Sequence, residues 1–121
     1  RVRKSVGAED TFAVDISDLK MATDELRLLA EKVWSSCKAK GVGGKTVTVK
    51  VKYSDFTQVT RSRTTSVPFA GLDDVLEAAG ALLTGVYPFK RPVRLLGLTL
   101  SSLVAEKESA EVAEPQLGLD L

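Results

Sequence analysis

The sequence predicts a two-layer α+β domain of element order β-α-β-β-α-β. Its four-stranded sheet carries both helices on one face, and a flexible C-terminal tail follows. Three observations lead there. Two segments repeat apolar residues at three- and four-residue spacing, one segment alternates strictly, and one is apolar on nearly both faces. Two amphipathic helices that share one core cover a single face of a small sheet, so the other face is left open. The 121 residues suffice for one such domain and for little more.

Taken in order, Arg1 to Phe12 is extended in character, with Val2, Val6 and Ala8 on one parity and a bend expected near Gly7. Leu19, Ala22, Leu26, Leu29, Ala30, Val33 and Cys37 define the first helix, about Asp18 to Lys40. Asp15, Ser17 and Asp18 compete as its N-cap, and Gly41 suits its C-terminal end. Gly41 to Gly44 reads as a flexible connector. From Thr46 to Tyr53, Val47, Val49, Val51 and Tyr53 alternate with Thr46, Thr48, Lys50 and Lys52, which makes a strand with one core face and one polar face. Ser54-Asp55 marks a turn into a second strand of the hairpin, about Phe56 to Val67. In that strand Arg61 and Arg63 share the parity of Val59, and two arginines are too costly to bury without partners. Either a bulge switches the parity or the strand overhangs the core. Leu72, Val75, Leu76, Ala79, Leu82, Leu83 and Val86 stripe the second helix, about Leu72 to Tyr87, whose start carries Asp73, Asp74 and Glu77. Val93 to Leu103 is the doubly apolar strand and belongs at the centre of the sheet.

Composition removes much of enzymology. There is no histidine and one cysteine, which excludes Ser-His-Asp and Cys-His catalysis, histidine-ligated metals and an internal disulfide. Cys37 lies in the first helix stripe and reads as a core residue, while Trp34 and Tyr87 read as packing residues. Glu9-Asp10 and Asp73-Asp74 read as turn and helix-start residues, and Gly41 to Gly44 lacks the spacing of a phosphate loop. No catalytic residue and no metal site is expected. No apolar run reaches the roughly 20 residues of a membrane span, and a cytoplasmic setting fits the cysteine usage.

The charge is divided. Residues 1–104 hold 16 Lys+Arg against 11 Asp+Glu, a net +5, while residues 105–121 hold one lysine against five acidic residues, a net −4. A basic body with an acidic tail points to two tasks on two surfaces. Lys50, Lys52, Arg61 and Arg63, with Arg3 and Lys4, are expected along one sheet face, and Thr48, Thr60, Ser62 and Thr64 add hydroxyls. Cations with short hydroxyls suit phosphate oxygens. The same element order occurs in RNA-recognition motifs, but no Phe-x-Phe pair stands on the open face and Tyr53 has core parity, so a face that reads backbone outranks one that stacks bases.

Four blocks add a family resemblance: Arg3-Lys4-Ser5-Val6-Gly7, Thr46 through Thr57, Thr60-Arg61-Ser62-Arg63-Thr64, and Arg91 through Leu98. In this order they resemble the little-finger domain of Y-family DNA polymerases, nearest its bacterial polymerase IV branch. The resemblance covers residues 1–104, and it implies a domain that lies in the major groove of primer–template duplex beside a catalytic core. That core would hold the nucleotide site and Mg2+, so this fragment needs no cofactor and has no activity alone. Residue by residue, the resemblance implies DNA contacts by Arg3, Lys4, Ser5, Gly7, Thr60, Arg61, Ser62, Arg63, Thr64 and Arg94. For Arg94 a salt bridge at the sheet edge is the rival reading. Residues 105–121 form the expected flexible acidic tail, and its end resembles the family's sliding-clamp-binding peptide, with Gln116, Leu117, Leu119 and Leu121 at the matching positions. The partners implied are duplex DNA, the bacterial sliding clamp and the polymerase's own core, met by a monomer. The alternatives are a free-standing nucleic-acid-binding adaptor and a small-ligand regulatory domain, which would need a pocket in place of a basic face.

Overall fold

The strictly alternating segment lies within β2 (Val42–Tyr53), and its register organises the rest of the computed structural model, which describes residues 5–105. The other elements are β1 (Ser5–Ile16), α1 (Leu19–Lys40), β3 (Gln58–Thr64), α2 (Leu72–Val86) and β4 (Val93–Ala105). The sheet is antiparallel throughout, in the order β1-β4-β2-β3. β4 is central, as its double apolarity predicts, and β3 is an edge.

Both helices pack on one face. α1 lies over β1 and β4, and α2 lies over β2 and β3. Between the layers, Val47, Val49 and Val51 pair across the ladder with Leu100, Leu98 and Leu96, and all six are at most 1% exposed. From the helices, Ala22, Leu26, Leu29, Ala30, Val33 and Cys37 meet Val75, Ala79 and Leu83 in the same cluster. Of the candidate caps, Asp18 is the N-cap of α1; its carboxylate accepts from the Met21 amide at 3.4 Å. Gly41 closes α1 in the left-handed region, φ 69°, where glycine carries no steric penalty.

Three expectations are corrected. The glycines after Gly41 are not a connector: Val42 already pairs with Ala105, and a Cβ on Gly44 would sit 2.5 Å from Leu100 Cγ and 2.9 Å from the Ser101 carbonyl oxygen. Glycine is there for close approach of two strands, not for flexibility. The irregularity of β1 does not fall at Gly7, which pairs in register with Thr99; it falls between Thr11 and Ile16, where the slip returns Ile16 to the core. β3 is shorter than expected and contains no bulge; its register with β2 is regular from Gln58 to Thr64, so its arginines keep helix-side parity and are exposed at the edge of the sheet.

Candidate nucleic-acid interface

The pleat distributes β2 and β3 between two environments. Thr46, Thr48, Lys50 and Lys52 face away from the helices and stand opposite Thr64, Ser62, Thr60 and Gln58. From the other side of β2, Ser101, Thr99, Gly97 and Leu95 of β4 extend the same rows to Ser5, Gly7, Glu9 and Thr11 of β1. The open face is therefore mainly short hydroxyls and glycines, with two lysines, Glu9, Gln58 and Leu95 toward the turn end.

The hydroxyls bond to one another across strands. Thr48 Oγ1 and Ser62 Oγ lie 2.8 Å apart, and Thr46 Oγ1 lies 2.9 Å from Thr64 Oγ1 and 3.0 Å from Ser102 Oγ. Each hydroxyl has one donor and two acceptor sites, so a bonded pair retains one O–H to offer outward. Ser102 reaches this cluster through a left-handed backbone, φ 55°. Gly7 lets β1 lie flat, because a Cβ there would come within 2.8 Å of Thr99 Oγ1. Lys50 crosses Gly97 toward β1, where its Nζ donates to Glu9 Oε2 at 2.8 Å.

Arg61 and Arg63 are not on this face. They stand opposite Val49 and Val47, on the helix side of the sheet, yet both are exposed at the edge strand, each lining a cleft beside α2. The expectation that they share one face with Lys50 and Lys52 is thus corrected: the lysines lie on the open face, the arginines along its edge. Arg61 Nη1 donates to the Thr60 carbonyl oxygen at 2.9 Å. Burial raises the Tyr53 hydroxyl above its ordinary pKa, and the nearby Arg61 charge works against that shift. Arg63 lines a shallow cleft with Asp74 and Glu77 of α2. Charged residues on an exposed edge also discourage strand-to-strand association.

Arg94 occupies a third setting. The β4 register slips against both neighbours at this residue, between Leu95 and Val93, and a bulge of this kind re-aims a side chain. Its guanidinium carbon lies 4.6 Å from the centroid of Phe56, and Lys52 Nζ lies 5.9 Å from the same ring. β4 is central, and among the described residues Arg94 makes no ion pair at a sheet edge. Phe56 is 61% exposed with φ 70°. Sequence reasoning missed its role; the available signal was an aromatic directly after the Ser54-Asp55 turn, where glycine is usual. Arg91 and Asp55 anchor this end, with Nε to Oδ2 at 2.8 Å. The Asp55 carboxyl is held below the usual carboxylate range by the Thr57 hydroxyl first, then the Thr57 amide, with the Arg91 guanidinium adding to both.

Of the sequence-derived contacts, Ser5, Gly7, Thr60, Ser62 and Thr64 fall on the open face, Arg61 and Arg63 on the edge, and Arg94 at the turn end. Arg3, Lys4, Gln116, Leu117, Leu119 and Leu121 lie outside the described residues. Among the described residues no cluster of His, Cys, Asp or Glu is disposed to hold a metal, and no helix is long and apolar enough to cross a membrane.

The chain is 66% identical over 121 residues to DNA polymerase IV 2 of Agrobacterium fabrum, covering all of this chain and 34% of that protein. It is 54% identical over 103 residues to DNA polymerase IV 3 of Mesorhizobium japonicum, covering 85% of this chain and 28% of that one. It therefore spans about a third of the length of such relatives. Among solved structures, a complex of the beta-clamp processivity factor with the little finger domain of PolIV superposes with TM-score 0.63 at 25% identity, over 97% of this chain and 96% of that one. A Y-family DNA polymerase chimera superposes with TM-score 0.75 over 86% of this chain and 30% of its own; at 22% identity it attests the fold. Residues 3–118 match the impB/mucB/samB family C-terminal domain, and with that extent and those relatives the chain belongs to this family.

Proposed function

We propose that this domain grips primer–template duplex for a Y-family lesion-bypass DNA polymerase, holding the backbones of both strands from the major groove without reading sequence. The observation that carries the reading is the open sheet face. It is rich in hydroxyls and glycines, carries Lys52 and a Lys50 that is paired with Glu9, and is flanked by Arg61 and Arg63 on one edge. Such groups address phosphate oxygens and carry little base information. Nucleotidyl transfer, with its Mg2+, belongs to the rest of the polymerase; this domain contributes position. The terminal peptide, through Gln116, Leu117, Leu119 and Leu121, docks on the bacterial sliding clamp: its glutamine and leucines suit an apolar pocket with a polar rim. A solved complex of the beta-clamp processivity factor with the little finger domain of PolIV has a similar fold, which supports this partner. The domain works as a monomer in the bacterial cytoplasm.

Titration of labelled duplexes of unrelated sequence tests the reading. The expected Kd lies at about 10⁻⁴ to 10⁻⁶ M at physiological salt, equal across sequences. Deleting residues 116–121 is expected to abolish clamp binding and leave duplex binding intact. Absence of duplex binding, or strong preference for one sequence, contradicts the DNA reading; unchanged clamp affinity after the deletion contradicts the clamp reading.

A further inference from the structure

The β2–β3 turn closes with Phe56 at its last position. Tyr53 N donates to the Thr57 carbonyl oxygen at 2.8 Å, and Phe56 N donates to the Tyr53 carbonyl oxygen at 2.8 Å. The three loop residues thus end in a left-handed residue, a hairpin form whose last position is ordinarily glycine. Here it is a phenylalanine with φ 70° and 61% of its surface in water. A bulky side chain in this backbone region is strained, and with most of its surface in water little burial offsets that strain. Folding alone therefore does not account for Phe56.

The surroundings of the ring do. Arg94 Cζ lies 4.6 Å from its centroid and Lys52 Nζ 5.9 Å, within the range at which cations are drawn to an aromatic face. Arg94 is aimed there by the register slip in β4, and Lys52 comes from the open face of β2. The turn is fixed independently of the ring. Asp55 Oδ1 accepts from the Thr57 amide at 3.1 Å and from the Thr57 hydroxyl at 2.6 Å, Arg91 Nε donates to Asp55 Oδ2 at 2.8 Å, and Ser54 N donates to the Pro92 carbonyl oxygen at 2.8 Å. Two flexible cations are thus gathered on a rigidly mounted neutral ring at one end of the open face. Among the described residues neither cation makes an ion pair.

We propose that Phe56 is a positioning residue for duplex binding: its exposed ring, mounted on the left-handed turn, holds Arg94 and Lys52 ready for DNA phosphate. The proposal rests on the duplex-gripping reading and assigns to that face a part no cation performs. Holding long side chains in place before contact reduces the ordering cost of binding. Each exposed cation–π contact corresponds to a factor of about 2–5.

The test compares four proteins by fluorescence titration on one duplex at several salt concentrations: wild type, Phe56→Gly, the Arg94→Ala/Lys52→Ala pair, and all three changes together. Phe56→Gly is expected to weaken binding about 4–20-fold while its urea midpoint stays equal or rises, because glycine relieves the strained φ. In the background lacking both cations, Phe56→Gly is expected to have almost no further effect, and Phe56→Trp in the wild-type background is expected to retain full affinity. Equal duplex binding by wild type and Phe56→Gly overturns the proposal while leaving the duplex-gripping reading in place. So does an undiminished loss in the cation-free background, which makes the ring a direct contact, or loss of clamp binding alone, which makes it a protein contact. Failure of wild type to bind duplex overturns the underlying reading itself.

Discussion

The two faces of β2 are one residue apart and live under different rules. Val47, Val49 and Val51 are at most 1% exposed and lock onto Leu100, Leu98 and Leu96. Thr46, Thr48, Lys50 and Lys52 face outward with hydroxyl and ammonium groups. The first set satisfies the core, where every lost methylene is felt; the second leaves polar groups accessible, where they stabilise the fold little and remain available to a partner. The comparison teaches that this domain separates folding from recognition by parity along a strand, with no boundary along the chain.

The largest expected effect comes from the helix face. Leu98 is fully buried at the centre of the sheet, so Leu98→Ala should cost about 2–5 kcal/mol in urea unfolding. An effect below about 1 kcal/mol would mean that the two faces are not segregated as described. Gly44→Ala should cost about 1–3 kcal/mol, since the new methyl meets Leu100 Cγ at 2.5 Å and a backbone oxygen at 2.9 Å. Wild-type stability in that variant would return the segment to the role of a loose connector.

Smaller effects belong to the open face and its turn. Lys50→Ala removes an exposed-to-half-buried ion pair with Glu9 and should cost at most about 1 kcal/mol in the same urea melts. A cost approaching that of Leu98→Ala would erase the contrast between the faces. Asp55 sharpens it through pH. Its folded pKa is depressed, so its stabilisation is present above the ordinary carboxylate value of about 3.9 and is lost as pH falls through the lower folded value. Urea midpoints of wild type and Asp55→Asn should therefore differ near neutrality and converge as pH falls from about 4 through the lower folded value. A difference that persists at low pH would assign the effect to the turn's shape and not to its charge.

Much of the fold was legible because its signals are local. The alternation from Val47 to Tyr53, the two helix stripes and the double apolarity of Val93 to Leu103 each report a single element's environment, and each has the environment they report. What escaped depends on neighbours. Gly43 and Gly44 carry the composition of a linker, and only the approach of Leu100 reveals a strand. The arginines of β3 have core parity by sequence; their exposure follows from the edge position of β3. Phe56 looked like the start of a strand, and its left-handed backbone, its exposure and the arrival of Arg94 from a distant strand are tertiary facts.

The central claim is that recognition resides on the open face and the β3 edge, not on the outer side of the helices. The most direct measurement is the salt dependence of duplex binding for Arg61→Ala/Arg63→Ala, against a variant with equal charge loss on the outer side of α1, Lys20→Ala/Arg27→Ala. All four side chains are exposed, so the two variants differ in place and not in charge. The account predicts that the β3 variant binds more weakly to every duplex and loses up to about two units of salt slope, while the α1 variant keeps the wild-type slope. An unchanged slope in the β3 variant, or an equal loss in both, would contradict it.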